Sequence, residues 1–177
     1  MSTSRRVKGQ SAHGLEREIQ LLLSCLDEAF DRRAWHGTNF RGSIRGVGAE
    51  EATWHPAPGR HSIWEIVLHA AYWKYAVRRQ LTGADRGSFA LKGSNWFSVP
   101  PPPDAAEWHA AIKLVSNEHH LLRDAVQHLL PSRLSRRTPR GNHTFRRIIY
   151  GVALHDVHHE GQIQLIKRLW QARGEER

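Results

Sequence analysis

A chain of 177 residues, 40% of them hydrophobic, is long enough to fold as one domain around a substantial core. No apolar stretch approaches the roughly 18–20 residues that a membrane-spanning helix requires, which argues against a membrane protein. The single cysteine, Cys25, excludes an intrachain disulfide bond, and the polar residues 1–10 lack the apolar segment of a secretory signal, so we expect a cytoplasmic protein.

The net charge of +9 raises the question of nucleic-acid binding. Much of this charge lies in two local runs, one in residues 5–8 and the other in residues 133–147. Such runs usually form solvated surfaces, and no recognition motif accompanies them, which disfavours a nucleic-acid partner. We expect residues 1–12 to be a disordered basic tail that precedes a single domain at residues 13–173.

Hydrophobic residues recur every three or four positions in four segments of the chain, a spacing typical of amphipathic helices. No segment combines sustained alternation with hairpin-type turns, so strands are not predicted. The predicted helices cover about residues 13–35, 62–82, 104–130 and 143–173.

Several helix boundaries carry recognisable signals. Ser62 and Glu65 have the spacing of a capping box at the start of the second helix. Four prolines at residues 100–103 interrupt the chain before Asp104, which is placed to cap the third helix. Pro131 is expected to follow the end of that helix.

Four amphipathic helices without strands predict an all-α fold, and a four-helix bundle is the commonest way to bury four such faces together. Two connections, about residues 36–61 and 83–103, are long for a compact domain. Both contain aromatic residues, which favours loops packed against the bundle, over the mouth of a site. These residues are Trp54, Phe89, Trp96 and Phe97.

The most informative feature is the pair His155 and His159 in the last helix. Residues four apart lie on one helical face with Cβ atoms roughly 5–6 Å apart, so both imidazoles can reach one divalent ion. His69 lies on the core-facing stripe of the second helix with Ile66 and Trp73. Either pattern alone is more often a hydrogen-bonded histidine, but three ligands from facing helices, with one open position, are typical of a catalytic metal. The three histidines together therefore predict a metal site.

The other histidines fit such a site less well. His158 points about 100° around the helix from its neighbour and is expected at the surface or behind the ligands. His119 and His120 are expected on a solvated face of the third helix. The last-helix pair nearly matches the H-E-x-x-H of zinc proteases, but Asp156 replaces the glutamate and is one methylene shorter, which argues against a protease.

The sequence also predicts the surroundings of three more residues. Gln162 falls on the face of the histidine pair and is placed to orient a ligand or a substrate. Gly161 in mid-helix costs about 1 kcal/mol relative to alanine, which indicates close approach of a neighbouring helix or loop. Cys25 lies on an apolar face with Leu22 and Leu26 and is expected in the core.

Two motifs resemble the DinB-like (YfiT-like) superfamily. The first is PGRHSIWEIVLHAAYW at residues 58–73, with one histidine on the second helix, and the second is HDVHHEGQ at residues 155–162 on the last helix. The resemblance covers nearly the whole chain apart from the basic tail. It implies a four-helix bundle in which three histidines hold a divalent metal, often zinc or nickel. Position by position, these ligands are His69, His155 and His159.

The resemblance also implies a chemistry, because characterised relatives are thiol transferases that use bacillithiol or mycothiol, or thiol-dependent isomerases. Glu160 departs from the pattern, since relatives commonly have a basic residue there. The implied function is a metal-dependent thiol S-transferase that conjugates a low-molecular-weight thiol to a small electrophile. A metal-dependent hydrolase and a non-enzymatic, stress-related metal-binding or interaction protein are open alternatives. We also expect a homodimer, because exposed faces of bundles often pair.

Overall fold

The computed structural model describes residues 12–99, 102–139 and 141–175. Over these residues the chain contains six α-helices, one 3₁₀ helix and no strand, which confirms the predicted all-α bundle. The predicted tail at residues 1–12 lies outside the described residues, except for Ala12. In chain order the helices are α1 (Ala12–Phe30), α2 (Phe40–Ser43), α3 (Ala49–Thr53), α4 (Ile63–Thr82), α5 (Ala105–Gln127), the 3₁₀ helix (Pro131–Arg133) and α6 (Phe145–Glu175).

Two helix ends differ from the prediction. α1 ends at Phe30 rather than near residue 35, and the side chain of Asn39 donates a hydrogen bond to the carbonyl of Arg32 at 2.7 Å just beyond that end. α5 ends at Gln127, three residues earlier than predicted, and Leu130, the residue before Pro131, has ψ of 122° and is not helical. The Ser62–Glu65 capping box is present at the start of α4, as predicted.

The first long connection contains the short helices α2 and α3, which hydrophobic spacing could not reveal because neither is longer than five residues. Phe40 and Ala52 are fully buried, so these turns pack against the bundle. The indole N–H of Trp108 in α5 donates a hydrogen bond to the carbonyl of Val47 at 2.8 Å, and this bond anchors the connection to the bundle. Both long connections contribute aromatic rings to the core, as expected.

The buried face of α1 is narrower than predicted. Leu22 and Leu26 are buried, but Cys25 is exposed, so the expectation that it lies in the core is wrong. Residue 25 lies just past the edge of the face that contacts the other helices. No helix among the described residues is long and apolar enough to cross a membrane.

A buried ion pair joins α4 to α6 inside the bundle. The ammonium of Lys74 donates a hydrogen bond to Asp156, and both side chains are completely buried. The Lys74 nitrogen also lies 4.7 Å from the ring centroid of Phe30. Burial lowers the pKa of Lys74 and raises the pKa of Asp156, and the charge of each partner opposes that effect. Because both side chains are completely buried, the pair can form only while the two helices stay aligned.

Removing one member of this pair is expected to be far more harmful than removing both. Lys74→Met leaves the Asp156 carboxyl buried without its partner and should lower the free energy of unfolding by about 3–5 kcal/mol. The double variant Lys74→Met/Asp156→Leu replaces the pair with apolar side chains and should recover most of that loss. Urea denaturation of the single and double variants measures both values. Equal losses in the two variants would contradict this account.

Candidate metal centre

The three predicted histidines meet at one point between α4 and α6. The Nε2 atom of His155 lies 3.0 Å from that of His69 and 3.1 Å from that of His159. The ligand atoms of all three lie within 4.8 Å of one another. In a tetrahedral shell with metal–nitrogen bonds of about 2.0–2.1 Å, two nitrogens lie about 3.3 Å apart. The observed spacing therefore fits one shared metal ion.

The hydrogen bonds of the Nδ1 atoms, which point away from the shared point, determine the tautomer of two of these imidazoles. The Nδ1–H of His69 donates to the backbone carbonyl of Asn95 at 2.8 Å, and the Nδ1–H of His159 donates to the side-chain oxygen of Gln162 at 2.7 Å. Both acceptors are oxygens, so each Nδ1 carries the proton and each Nε2 keeps a lone pair directed at the shared point. Gln162 thus orients a histidine, one of the roles that its position suggested.

His155 occupies the centre of the group. Its Nδ1 is buried and has no hydrogen-bond partner among the described residues. With its proton on Nε2, His155 can donate only one well-aligned hydrogen bond. The Nε2 lone pairs of both His69 and His159 face that nitrogen, so one of them is left without a donor. One divalent cation satisfies all three nitrogens together. The donor set and its protonation therefore fit a metal ion.

Burial keeps these imidazoles neutral, the form that metals bind. It lowers the pKa of His155 to about 3 and that of His159 to about 4, and it lowers the pKa of His69 as well. The neighbouring imidazoles and Lys74 lower the pKa of His155 further. Three neutral imidazoles are donors suited to zinc, copper, iron or nickel.

The second long connection forms one wall of the site. The ring of Trp96 stacks on His69 with centroids 3.8 Å apart and on His61 with centroids 3.5 Å apart. Asn95 has φ of 66°, in the left-handed region that asparagine tolerates better than most residues. This conformation lets its backbone hold His69 while its side-chain oxygen accepts a hydrogen bond from the indole of Trp73, at 3.0 Å.

The remaining histidines stay out of the group. His158 is exposed, as expected, with its ring centroid 5.1 Å from that of His159. His120 is exposed as well, but the expectation of a solvated face is wrong for His119, which is buried and stacks on Phe30 at 4.0 Å. Burial lowers the pKa of His119 to about 2, so this ring is neutral and packs like an aromatic core residue.

The sequence patterns predict no role for Lys74 or Asn95, and they mark Asp156 only as the counterpart of a protease glutamate. Lys74 and Asp156 each interrupt an apolar helical stripe, a signal that could have marked them as buried partners. No sequence pattern indicates the hydrogen bond between His69 and the carbonyl of Asn95, because this contact depends on how residues 83–103 fold back over α4.

Comparison with protein-family models matches residues 31–163 to the DinB superfamily. The chain belongs to the DinB superfamily. The match spans all three histidines, the whole of α4 and the first part of α6, up to residue 163. Comparisons with curated proteins and with solved structures returned no match. In this DinB-superfamily protein, the three histidines are positioned to bind one metal ion.

The backbone of Asn95 should matter more to metal binding than its side chain. In Asn95→Val, a β-branched residue must adopt a positive φ, which should cost about 1–2 kcal/mol of folding free energy. The displaced carbonyl should weaken Co²⁺ affinity about 10- to 100-fold, as loss of an outer hydrogen bond typically does. The control Asn95→Gly keeps the φ angle and the carbonyl, and should bind Co²⁺ nearly as tightly as the parent. Calorimetric titration distinguishes the two, and equal losses would assign the effect to the amide side chain instead.

Proposed function

We propose that this protein is a divalent-metal-dependent enzyme that conjugates a low-molecular-weight thiol to a small electrophile. His69, His155 and His159 are its proposed metal ligands, with zinc or nickel as the ion. The observation that carries the proposal is the convergence of three neutral imidazole nitrogens within 4.8 Å of one another. Among the described residues, no further histidine, cysteine or carboxylate joins this group. Three protein ligands with one free position are typical of catalytic rather than structural metal sites.

The chemistry of thiol transfer suits such a centre. A bound divalent ion supplies a Lewis acid that keeps a coordinated thiol deprotonated at neutral pH. The protein's own residues hold the ligand set in place. Asn95 and Gln162 fix the protonation of His69 and His159, so both rings present lone pairs without a rearrangement.

Aromatic side chains beside the ligands provide a surface for the organic part of an electrophile. Trp73 is 38% exposed, and its ring centroid lies 6.2 Å from that of His155. Trp96 covers the ring of His69 and shields that side of the centre from water. A small apolar acceptor can therefore stack next to the ligands while its reactive atom stays near them.

Metal content tests the ligand assignment. The purified protein should carry about one divalent ion per chain, and His69→Ala, His155→Ala or His159→Ala should each lose most of it. The matched control is His158→Ala, which removes an exposed histidine next to a proposed ligand and should keep the metal. Elemental analysis gives the stoichiometry of every variant. Full retention of metal in the triple variant would falsify the proposed site.

Activity tests the reaction class. The metal-loaded protein should consume a thiol and a halogenated acceptor together, with equimolar release of halide, for at least one member of a panel of low-molecular-weight thiols. Removal of the metal with a chelator should abolish this turnover, and re-addition should restore it. Conversion of the acceptor by water without thiol consumption would identify a hydrolase. Tight metal binding with no turnover across the panel would favour the non-enzymatic alternative.

A further inference from the structure

A second cavity lies beside the connection that covers the metal centre. It has a volume of about 600 Å³ and is formed by the second half of α4 and by residues between 86 and 94. Ser94 lines it, and the next residue, Asn95, accepts the hydrogen bond of His69 through its carbonyl. None of the three candidate metal ligands lines this cavity, so it is a separate site. We call it the cationic cavity, after the charges that line it.

Three positively charged side chains line the cationic cavity, and no acidic residue among the described ones does: Arg79, Arg86 and Lys92. No ion pair among the described residues involves any of the three, whereas the neighbouring Arg78 is paired with Glu118 at 3.0 Å. Arg79 is partly buried, and its Nε has no hydrogen-bond partner in the described part of the chain. Like charges in one cleft repel each other and attract a counter-ion, so an anion bound there would stabilise all three.

Aromatic rings form another wall of the cationic cavity. The ring centroid of Phe89 lies 5.5 Å from that of Tyr72 and 5.3 Å from that of Tyr75. Tyr72 and Phe89 are only partly buried, and both line the cavity. Aromatic side chains pack favourably against other rings. An anion that fills this cavity therefore binds more tightly if it carries a ring of its own.

Glycines determine the backbone of the cavity wall. Gly87 and Gly93 line the cavity with φ of 99° and 118°, in the left-handed region that other residues rarely adopt. Gly161 in α6 has no such role, and a Cβ atom built there would meet nothing within 4 Å. The expectation that Gly161 accommodates a neighbouring helix or loop is therefore wrong over the described residues. The two loop glycines, by contrast, allow the chain to turn around the cavity without side chains that would fill it.

We propose that the cationic cavity binds a small aromatic molecule that carries a phosphate group. Guanidinium groups match phosphate oxygens with paired N–H donors, and the lysine ammonium adds a further charge. A phosphate monoester carries a charge of about −1.5 to −2 at neutral pH, so it compensates more of the three positive charges than a carboxylate does. The volume of about 600 Å³ is in the range of small-molecule sites. This binding does not depend on the reaction proposed for the metal centre.

Calorimetric titration of the purified full chain with phenyl phosphate tests the site. We expect a dissociation constant below about 1 mM, which Arg86→Gln/Lys92→Gln should raise about tenfold or more. Both residues are exposed, so this variant should keep the circular dichroism spectrum of the parent. The matched control Arg41→Gln/Arg45→Gln removes two exposed charges outside the cavity and should bind as the parent does. No binding by the parent, or equal losses in the two variants, would overturn the proposal.

The metal centre offers phosphate a different site, because a phosphate oxygen can coordinate a divalent ion. The titration is therefore repeated on protein from which a chelator has removed the metal. The affinity for phenyl phosphate should stay within about twofold of its value before metal removal. Loss of binding on metal removal would place the phosphate at the metal centre and overturn the assignment to the cationic cavity.

The contribution of the ring is tested with two other ligands. Methyl phosphate has the same charge but no ring, and it should bind about three- to tenfold more weakly than phenyl phosphate. In Phe89→Leu this difference should shrink, while the affinity for methyl phosphate stays the same. Benzenesulfonate has the ring but a single charge and should also bind more weakly than phenyl phosphate. Equal binding of the two phosphate esters, or tighter binding of the sulfonate, would contradict the proposed ligand class.

Discussion

The buried contact between Lys74 and Asp156 determines how α4 lies along α6. Both side chains are completely removed from water, and burial of a charge is tolerated only when a partner compensates it. The helices therefore have one favourable alignment. His69 lies five residues before Lys74, and His155 immediately precedes Asp156. The alignment that forms the ion pair therefore also brings the Nε2 atoms of His69 and His155 to 3.0 Å from each other.

The candidate metal centre is consequently supported in two ways. Two rigid helices set the positions of the three imidazoles, and outer hydrogen bonds set the protonation of two of them. The backbone of Asn95 belongs to a long connection rather than to a helix, and Trp96 beside it stacks on the His69 ring. This connection therefore both accepts the hydrogen bond of His69 and covers its ring.

Helix α6 is 31 residues long, and two of its faces contact the rest of the bundle in different ways. One face contributes Asp156 and Ile163 to the interior, and the next carries His155 and His159. Since one helix carries two of the candidate ligands and one half of the buried ion pair, a shift of α6 along α4 would disturb both together.

The amino-acid sequence by itself determined the four long helices, the capping box at Ser62 and the trio of histidines, because hydrophobic spacing and capping are local properties of the chain. It misplaced Cys25 and His119, since spacing shows that a helix has a buried face but not where that face ends. Only the tertiary structure decided that Lys74 meets Asp156 and that Asn95 supports His69. Those contacts join residues far apart in sequence, so they exist only once helices and connections have packed.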